Sequence, residues 1–246
     1  MRVHQQSAYV LLNRSYSETS WIVEVFTKDY GRMALMAKGA RRIKSQLKGV
    51  LLPFQPILVS WTGKGEMPTL TAAEIQPSQL NLIEQELRGD QLVCGFYCNE
   101  LTMYLLHRYD PHPRLFDRYH TTILGLYDPD SVANETCLAN TIRAFEQIMI
   151  KEIGYEVNFE FEADGKSPIR PTAYYQFQVG QGFVASSAAA RNAIEGRIVL
   201  ALQSENIEFS KDLDRSQRKL LMRNILSQTL GYKKINSREL FFPKSR

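Results

Sequence analysis

The chain contains two apolar runs, Trp21-Ile-Val-Glu-Val-Phe-Thr27 and Arg32-Met-Ala-Leu-Met-Ala37, separated by the short segment Lys28-Asp-Tyr-Gly31. Each run is typical of a strand and the glycine permits a tight connection, so the pattern predicts two neighbouring strands. Further strands are predicted at residues 8–12, 56–61 and 69–73, and Thr62-Gly-Lys-Gly65 joins the last two. Five strands within about 70 residues favour a small closed barrel, the five-stranded OB-fold, with a small SH3-like barrel as the alternative.

A basic segment, Lys38-Gly-Ala-Arg-Arg-Ile-Lys-Ser-Gln-Leu-Lys48, follows the third predicted strand directly. It carries five cations and no acid, and a strand that leads into such a loop is well suited to hold a polyanion. The alternative is a solvated surface loop. With two further cations of the same β-rich region, the candidate nucleic-acid-binding residues are Arg32, Lys38, Arg41, Arg42, Lys44, Lys48 and Lys64. Tyr30 and Trp61 are candidates either for stacking on bases or for the core.

The net charge of +4 is distributed unevenly along the 246 residues. Residues 1–80 hold ten Lys and Arg against five Asp and Glu, whereas residues 81–210 hold ten against eighteen. Residues 211–246 again hold ten cations, against three acids. Two basic ends that flank an acidic middle predict two separate anion-binding surfaces.

After residue 80, the spacing of the apolar residues changes from the alternation typical of strands to the period typical of helices. Residues 81–107 have a helical pattern without proline. A second helix is predicted around residues 138–149, with Asp130 or Ser131 as its cap and Gly154 just past its end. Residues 155–187 predict a short hairpin, with strands at 174–179 and 182–184. We therefore expect an α+β protein, with an OB-fold nucleic-acid-binding domain at residues 1–80 and a mostly α-helical domain at 81–246 that carries the hairpin as an insertion at about 155–187.

The last predicted helix spans about residues 212–230 and stops at Gly231. At 100° per residue, one arc contains Leu213, Leu220, Leu221 and Ile225. The opposite arc contains Arg215, Arg218, Lys219 and Arg223. The basic arc predicts a docking face for an acidic partner or for phosphates, and the alternative is an amphipathic surface helix.

Signals for catalysis, metal binding or membrane insertion are weak. Cys94 and Cys98 lie four residues apart on a predicted helix, but Cys137 is the one other cysteine and a closed zinc site needs four ligands in two pairs. Buried, inert cysteines are therefore favoured over a metal site. A cluster in a proline-rich turn could act as a metal or acid–base site, and the alternative is a plain surface loop; it consists of His107, Asp110 and His112. Acids that include Glu160 and Asp164 leave a magnesium-dependent nuclease open as an alternative.

No phosphate-binding glycine loop is present, and no apolar run approaches the roughly 18 residues of a membrane helix. We expect a cytoplasmic binding protein and not an enzyme, with no cofactor, no bound metal and no membrane partner.

Several short motifs follow one another along nearly the whole chain: Ser17-Glu-Thr-Ser20, Val25-Phe-Thr27, Gly31-Arg32, Ala37-Lys-Gly-Ala-Arg41, Leu47-Lys-Gly49, Pro53-Phe54, Gly63-Lys-Gly-Glu66, Asn99-Glu-Leu101, Gly154-Tyr155 and Ser237-Arg-Glu-Leu-Phe241. This collinear set resembles the RecO family of bacterial recombination-mediator and DNA-repair proteins. The resemblance implies an OB-fold and a helical domain, binding of single- and double-stranded DNA, annealing of complementary strands, and loading of the RecA recombinase together with RecR. It also implies contact with the acidic C-terminal tail of the single-stranded-DNA-binding protein SSB, in the bacterial cytoplasm at the nucleoid.

The same resemblance implies a zinc-free branch of the family. Many members carry a four-cysteine zinc module in the region of residues 155–187, where this chain has neither cysteine nor histidine. We expect aromatic residues to hold the hairpin instead of a metal, namely Phe159, Tyr175, Phe177 and Phe183.

The acidic SSB tail ends in phenylalanine and therefore needs cations beside an apolar pocket. The candidate residues for it are Arg215, Arg218, Lys219, Arg223, Lys233 and Lys234. An RNA-binding or ribosome-associated OB-fold module remains the alternative function.

Overall fold

The computed structural model describes residues 1–77, 86–128, 135–154, 157–202 and 212–240. Residues 81–85 of the predicted helix and the predicted caps Asp130 and Ser131 lie outside this part. The chain forms two compact units, one of Met1–Leu138 with Ile235–Arg246 and the other of Ala139–Lys234.

The first unit contains a closed five-stranded barrel. Its strands are β1 (Arg2–Ser15), β2 (Trp21–Thr27), β3 (Gly31–Ala37), β4 (Ile57–Thr62) and β5 (Thr69–Ile75), with the short helix α1 (Leu47–Val50) between β3 and β4. The strand order is β1-β2-β3-β5-β4, closed by pairing of β4 with β1, and β3 and β5 are parallel. This crossover confirms the OB-fold rather than the SH3-like alternative.

Alternating apolar residues fill the barrel. Val10, Val25, Leu35 and Val59 are fully buried, and Trp61 is 1% exposed. Strand β1 is longer than the five residues predicted, because its first part pairs with β4 and its second part with β2. The first part was not predicted, because polar residues such as those at positions 4–6 interrupt its hydrophobic pattern.

Two helices cover part of the outer face of the barrel, α2 (Gly89–Leu105) and α3 (Pro113–Leu126). The outward side chains Tyr9 and Phe26 pack against Phe116 and Tyr119 of α3, with ring centroids 4.9–5.9 Å apart. By their contacts these helices group with the barrel. The division at residue 80 into an OB-fold domain and a helical domain remains a prediction.

The second unit combines helices with a small sheet. It contains most of α4 (Glu135–Glu152), the strands β6 (Tyr174–Gln178), β7 (Gly182–Ser186) and β8 (Ile194–Glu195), and the helices α5 (Gly196–Ala201) and α6 (Asp212–Thr229). The predicted hairpin is confirmed as β6 and β7, with β8 on the other side of β6. Gly154 and Gly231 follow helices with φ of +76° and +58°, as expected of glycines that end helices.

Aromatic packing supports the hairpin. Phe183 lies 5.8 Å from Phe159 and 5.5 Å from Phe177 between ring centroids. The buried Tyr175 hydroxyl donates to Glu162 and accepts the Arg170 N–H at 2.9 Å. The expected aromatic support of the hairpin is therefore present in the structure.

Two turns in the segment before β6 are closed by hydrogen bonds from backbone N–H groups to side chains. Asn158 Oδ1 accepts the N–H groups of residues 160 and 161, and Asp164 Oδ1 accepts those of residues 166 and 167. The connection before β6 is thus ordered by Asx turns.

The chain then returns to the first unit as α7 (Ser237–Leu240), which packs on α2. Glu100 of α2 accepts the N–H groups of Asn236 and Ser237, each at 2.8 Å, and the Ser237 hydroxyl at 2.7 Å. Arg238 donates to the Tyr97 hydroxyl and lies over its ring. These bonds fix the last described segment to α2.

Candidate nucleic-acid interface

One end of the barrel leaves part of its outer surface uncovered. Arg14, Ile22 and Met36 are paired across β1, β2 and β3, and Met36 pairs with Thr69 of β5. The adjacent row, with Val23 and Leu35, is buried in the barrel, so the row that begins with Arg14 faces outward. Arg14 is exposed and its two neighbours are half-buried.

Three loops surround this row: residues 16–20 between β1 and β2, residues 38–46 after β3, and residues 63–68 between β4 and β5. We call residues 38–48, the last two of which begin α1, the basic loop. In OB-folds, the face of strands 2 and 3 and the loops between strands 1 and 2 and between strands 4 and 5 bind oligonucleotides. Lys64 lies on the second of these loops and the basic loop leaves β3, so these predicted cations border that face.

Consecutive turns give the basic loop a defined conformation. The Arg42 N–H donates to Gly39 O at 3.1 Å, and the Ser45 N–H donates to Arg42 O at 3.0 Å. Gly39 has a φ of +73°, which glycine adopts without strain. The loop presents its exposed cations to solvent, namely Lys38, Arg42, Lys44 and Lys48.

Arg41 has a different role from these four cations. Its N–H donates to Thr19 O at 3.0 Å, and its guanidinium donates to Ser17 O. Arg41 therefore joins the basic loop to the β1–β2 loop. That loop also presents Tyr16, which is 61% exposed. Sequence reasoning missed Tyr16, although an aromatic residue in a polar loop directly after a strand is a usable signal.

Lys64 is exposed on the β4–β5 loop. The Met36 N–H donates to Pro68 O at 2.9 Å and thereby holds this loop beside β3. On the other side, the Tyr109 hydroxyl donates to Glu66 O at 2.5 Å. The loop with Lys64 is thus attached next to the strand that leads into the basic loop.

The structure does not group Arg32 with the exposed cations. Its guanidinium lies 3.3 Å from the Glu24 carboxylate and donates to Leu106 O at 3.1 Å, and Arg108 binds the same carboxylate. Burial lowers the pKa of Arg32, while attraction to Glu24 opposes that change. Arg32 therefore belongs to a largely buried ion-pair cluster that joins β2, β3 and the end of α2.

The two aromatic candidates named from the sequence are core residues. The rings of Tyr30 and Trp61 meet edge to face at a centroid distance of 5.0 Å, and both pack with the barrel core. Trp61, at 1% exposure, offers no face to a base, whereas Tyr30 is half-buried at the edge of the core.

The exposed cations of the interface have no carboxylate partner in the part of the chain that the structure describes. Within the described residues, no ion pair joins a carboxylate to Lys64 or to any cation of the basic loop. Their charges are therefore available to phosphates.

The second predicted surface, on α6, is only partly as expected. Arg218 is 2% exposed, and its guanidinium donates to Gln147 Oε1 at 2.6 Å. Burial, together with the nearby Arg143, lowers the pKa of Arg218 to about 10. Leu220, expected on the apolar arc, is exposed instead. The predicted phase of the helix is therefore wrong at these two positions.

The remaining cations of this region lie at the surface. Lys219 and Arg223 are exposed one turn apart on α6, and Arg215 is half-buried. After the helix, Tyr232 is 77% exposed and directly precedes the exposed residues Lys233 and Lys234. The second unit thus presents cations together with exposed apolar side chains at Leu220 and Tyr232.

The groups considered for catalysis do not form a metal site in the described parts of the chain, where no cluster of three or more His, Cys, Asp or Glu side chains could hold an ion. Asp164 is engaged in its turn, and His112 lies 3.3 Å from Asp110 ahead of α3. Cys94 and Cys98 are buried. Across the described helices, none is long and apolar enough to span a bilayer.

Comparison with known proteins gives a consistent result over nearly the whole chain. The family model "Recombination protein O N terminal" matches residues 1–78, and "Recombination protein O C terminal" matches residues 87–237. The chain is 40% identical to the DNA repair protein RecO of Nitrosospira multiformis over 242 residues, which covers 97% of this chain and 95% of that protein.

The proteins of the same name from Dechloromonas aromatica and Actinobacillus pleuropneumoniae are also similar. The first is 39% identical, over 98% of this chain and 96% of the relative. The second is 40% identical, over 95% and 92% respectively.

Proposed function

This chain belongs to the RecO family, and from that premise we propose that it is a recombination mediator that binds single- and double-stranded DNA and anneals complementary strands. A role in DNA repair and recombination follows from the family. We further propose that it acts on SSB-coated strands in the bacterial cytoplasm, at the nucleoid, and that with RecR it helps to load RecA. In this role it is a binding protein and not an enzyme.

The observation that supports DNA binding is the set of exposed, unneutralised cations around the open face of the barrel. Lys38, Arg42, Lys44, Lys48 and Lys64 present five charges on loops that border one surface. Contacts to phosphates carry no sequence information, so binding should be largely independent of sequence. If about five phosphates of a single strand are neutralised, log affinity should fall with log salt concentration with a slope of about −3.5.

Annealing follows from the neutralisation of phosphate charge by the basic surface. Two DNA strands repel each other, and a basic surface that contacts both backbones lowers this repulsion. Base pairing then supplies specificity and most of the free energy. The protein needs no catalytic group for this step.

We propose that the acidic SSB tail docks on the outer side of α6 and the following segment. The supporting observation is the combination of the exposed cations Lys219 and Arg223 with the exposed Leu220, to which Lys233 and Lys234 add charge. An acidic peptide that ends in phenylalanine requires this combination of cations and apolar surface. Arg218 is not part of the proposed contact, because its guanidinium is buried.

Annealing assays with naked and SSB-coated strands test both surfaces. Arg42→Glu/Lys44→Glu should slow annealing of both substrates and reduce the salt slope from about −3.5 to about −2. Lys219→Glu/Arg223→Glu should impair chiefly the SSB-coated reaction. Lys166→Glu, an exposed cation of the second unit outside both surfaces, is the matched control.

Unchanged annealing by the first variant would reject the barrel as the DNA-binding surface. Unchanged affinity of the second variant for the SSB tail peptide would reject the α6 assignment. Tighter binding and faster annealing of RNA than of DNA would instead favour the alternative RNA-binding function.

A further inference from the structure

The most exposed apolar side chain of the basic loop is Ile43, which lies 94% exposed between two cations. The hydrogen bond from the Ser45 N–H to Arg42 O closes a turn, and Ile43 and Lys44 occupy its two central positions. Turn centres favour polar residues, proline and glycine, and a β-branched apolar residue has no advantage there. At 94% exposure, Ile43 buries almost no surface that would stabilise the fold, so its position calls for another explanation.

A second exposed apolar group lies on the neighbouring loop. Tyr16 is 61% exposed, and its N–H donates to Ser20 O at 3.1 Å, which closes the β1–β2 loop. Arg41 bonds to two carbonyl groups of the same loop, those of Ser17 and Thr19. The loops that carry Tyr16 and Ile43 are therefore held side by side.

We propose that Ile43 and Tyr16 contact unpaired DNA bases, Ile43 as an apolar wedge and Tyr16 as a stacking surface, while the flanking cations hold the backbone. The proposal rests on the DNA-binding function proposed above and adds how the site recognises its substrate. Arg42 and Lys44 flank Ile43 in sequence, so a strand held by these cations brings its bases within reach of the turn.

This arrangement selects unpaired bases by their accessibility. In a duplex the bases are stacked, and insertion of an apolar side chain must first unstack them. In a single strand the same surfaces are already available, and stacking on an aromatic ring tolerates every base. The interface should therefore favour single strands and frayed ends without reading their sequence, and it should release the bases when a complementary strand pairs with them.

Two oligonucleotides of equal length test the proposal, one of deoxythymidine and one with abasic sugars throughout, since they differ in bases but not in phosphates. At a fixed salt concentration the wild type should bind the first at least about fivefold more tightly. Ile43→Ser and Tyr16→Ser should each reduce this ratio, and the double variant should bring it close to one. Affinity for the abasic strand and the salt slope should stay unchanged.

Tyr16→Phe keeps the ring and should retain the ratio. Val179→Ser removes an exposed aliphatic side chain of the second unit and is the matched control for a general loss of apolar surface. The quenching of 2-aminopurine fluorescence on binding gives an independent measure of base stacking. This quenching should be weaker with Tyr16→Ser than with the wild type.

Salt-dependent binding of both strands with equal affinity would overturn this inference and leave the proposed DNA-binding function intact. A high ratio of the two affinities that the double variant leaves unchanged would likewise overturn the inference and leave the proposed function intact. A wild-type protein that binds neither strand would reject the proposed function and, with it, the base contacts.

Discussion

Arg218 is a charged residue that is buried in the second unit. Its guanidinium donates to the buried Gln147 side chain, which in turn donates to Leu202 O at 2.9 Å. We expect Arg218→Ala to destabilise the protein by about 2–3 kcal/mol, because it leaves a cavity and a buried carbonyl oxygen without its donor. Lys219→Ala, one residue away but exposed, should change stability by less than about 0.5 kcal/mol.

Chemical denaturation followed by circular dichroism measures both variants. Equal stabilities would show that Arg218 is solvated in solution. The SSB-tail affinity of folded Arg218→Ala should stay close to that of the wild type, since the residue is not at the surface.

The same residue shows a limit of sequence-based reasoning. A long cationic side chain on an amphipathic helix looks identical whether it ends in water or in a buried acceptor, and the acceptor of Arg218 lies 71 positions away. Arg32 is similar, because its burial depends on Glu24, Leu106 and Arg108. The exposure of Lys38, Arg42, Lys44 and Lys48 could be predicted, because a polar loop with no acid has few internal partners to offer its cations.

Among the secondary-structure elements, the β2–β3 turn depends on a glycine for two reasons. Gly31 has a φ of +67°, and a Cβ at this position would clash with the backbone carbonyl of Asp110. Gly31→Ala should therefore be at least about 2 kcal/mol more destabilising than Gly89→Ala. Gly89 is the matched control, with a φ of +52° and open space around it in the described structure.

Thermal unfolding of the two variants provides the comparison. If both lose the same stability, backbone conformation alone explains the glycine, and the contact between the turn and Asp110 contributes nothing. A larger loss in Gly31→Ala supports the close approach seen in the structure.

The strands were predictable because alternation and turn glycines are local signals. Helix α3 was not predicted, although Pro113 at its first position is a signal for a helix start. Proline is favoured there because the backbone N–H that it lacks would have no partner within the helix. Pro111 and Pro113 indicated a turn, and the helix beyond them was overlooked. The orientation of α6 could have been read from the sequence. At 100° per residue, Arg218 lies about 20° from the buried Ile225, and the exposed Leu220 lies about 140° from it.

For the molecule as a whole, the attachment of α7 to α2 completes the first unit. Burial disfavours the charged form of Glu100, but hydrogen bonds from Ser237 and Asn236 outweigh it and lower the pKa of the carboxyl group. The folded state thus favours the ionised form, and the resulting stabilisation is present above the unfolded pKa of about 4.3. It is lost as the pH falls through the lower folded pKa.

We expect Glu100→Gln to release residues 235–240 at neutral pH, because a neutral amide accepts these hydrogen bonds less strongly. Hydrogen exchange in this segment should become faster, while exchange in the barrel strands stays slow. Glu86→Gln, at an exposed carboxylate of the same unit, is the control. Protection of residues 235–240 that is the same in Glu100→Gln and wild type would show that Arg238 and the packing of α7 suffice.

The return of the chain to its first unit has a consequence for biosynthesis. Residues 139–234 form a unit of their own, and the segment that packs on α2 comes after them. The ribosome therefore releases this segment only after the second unit has been translated. A nascent chain can form the barrel early, but it can add α7 only late, so translation that stalls within the second unit leaves α2 without its last partner.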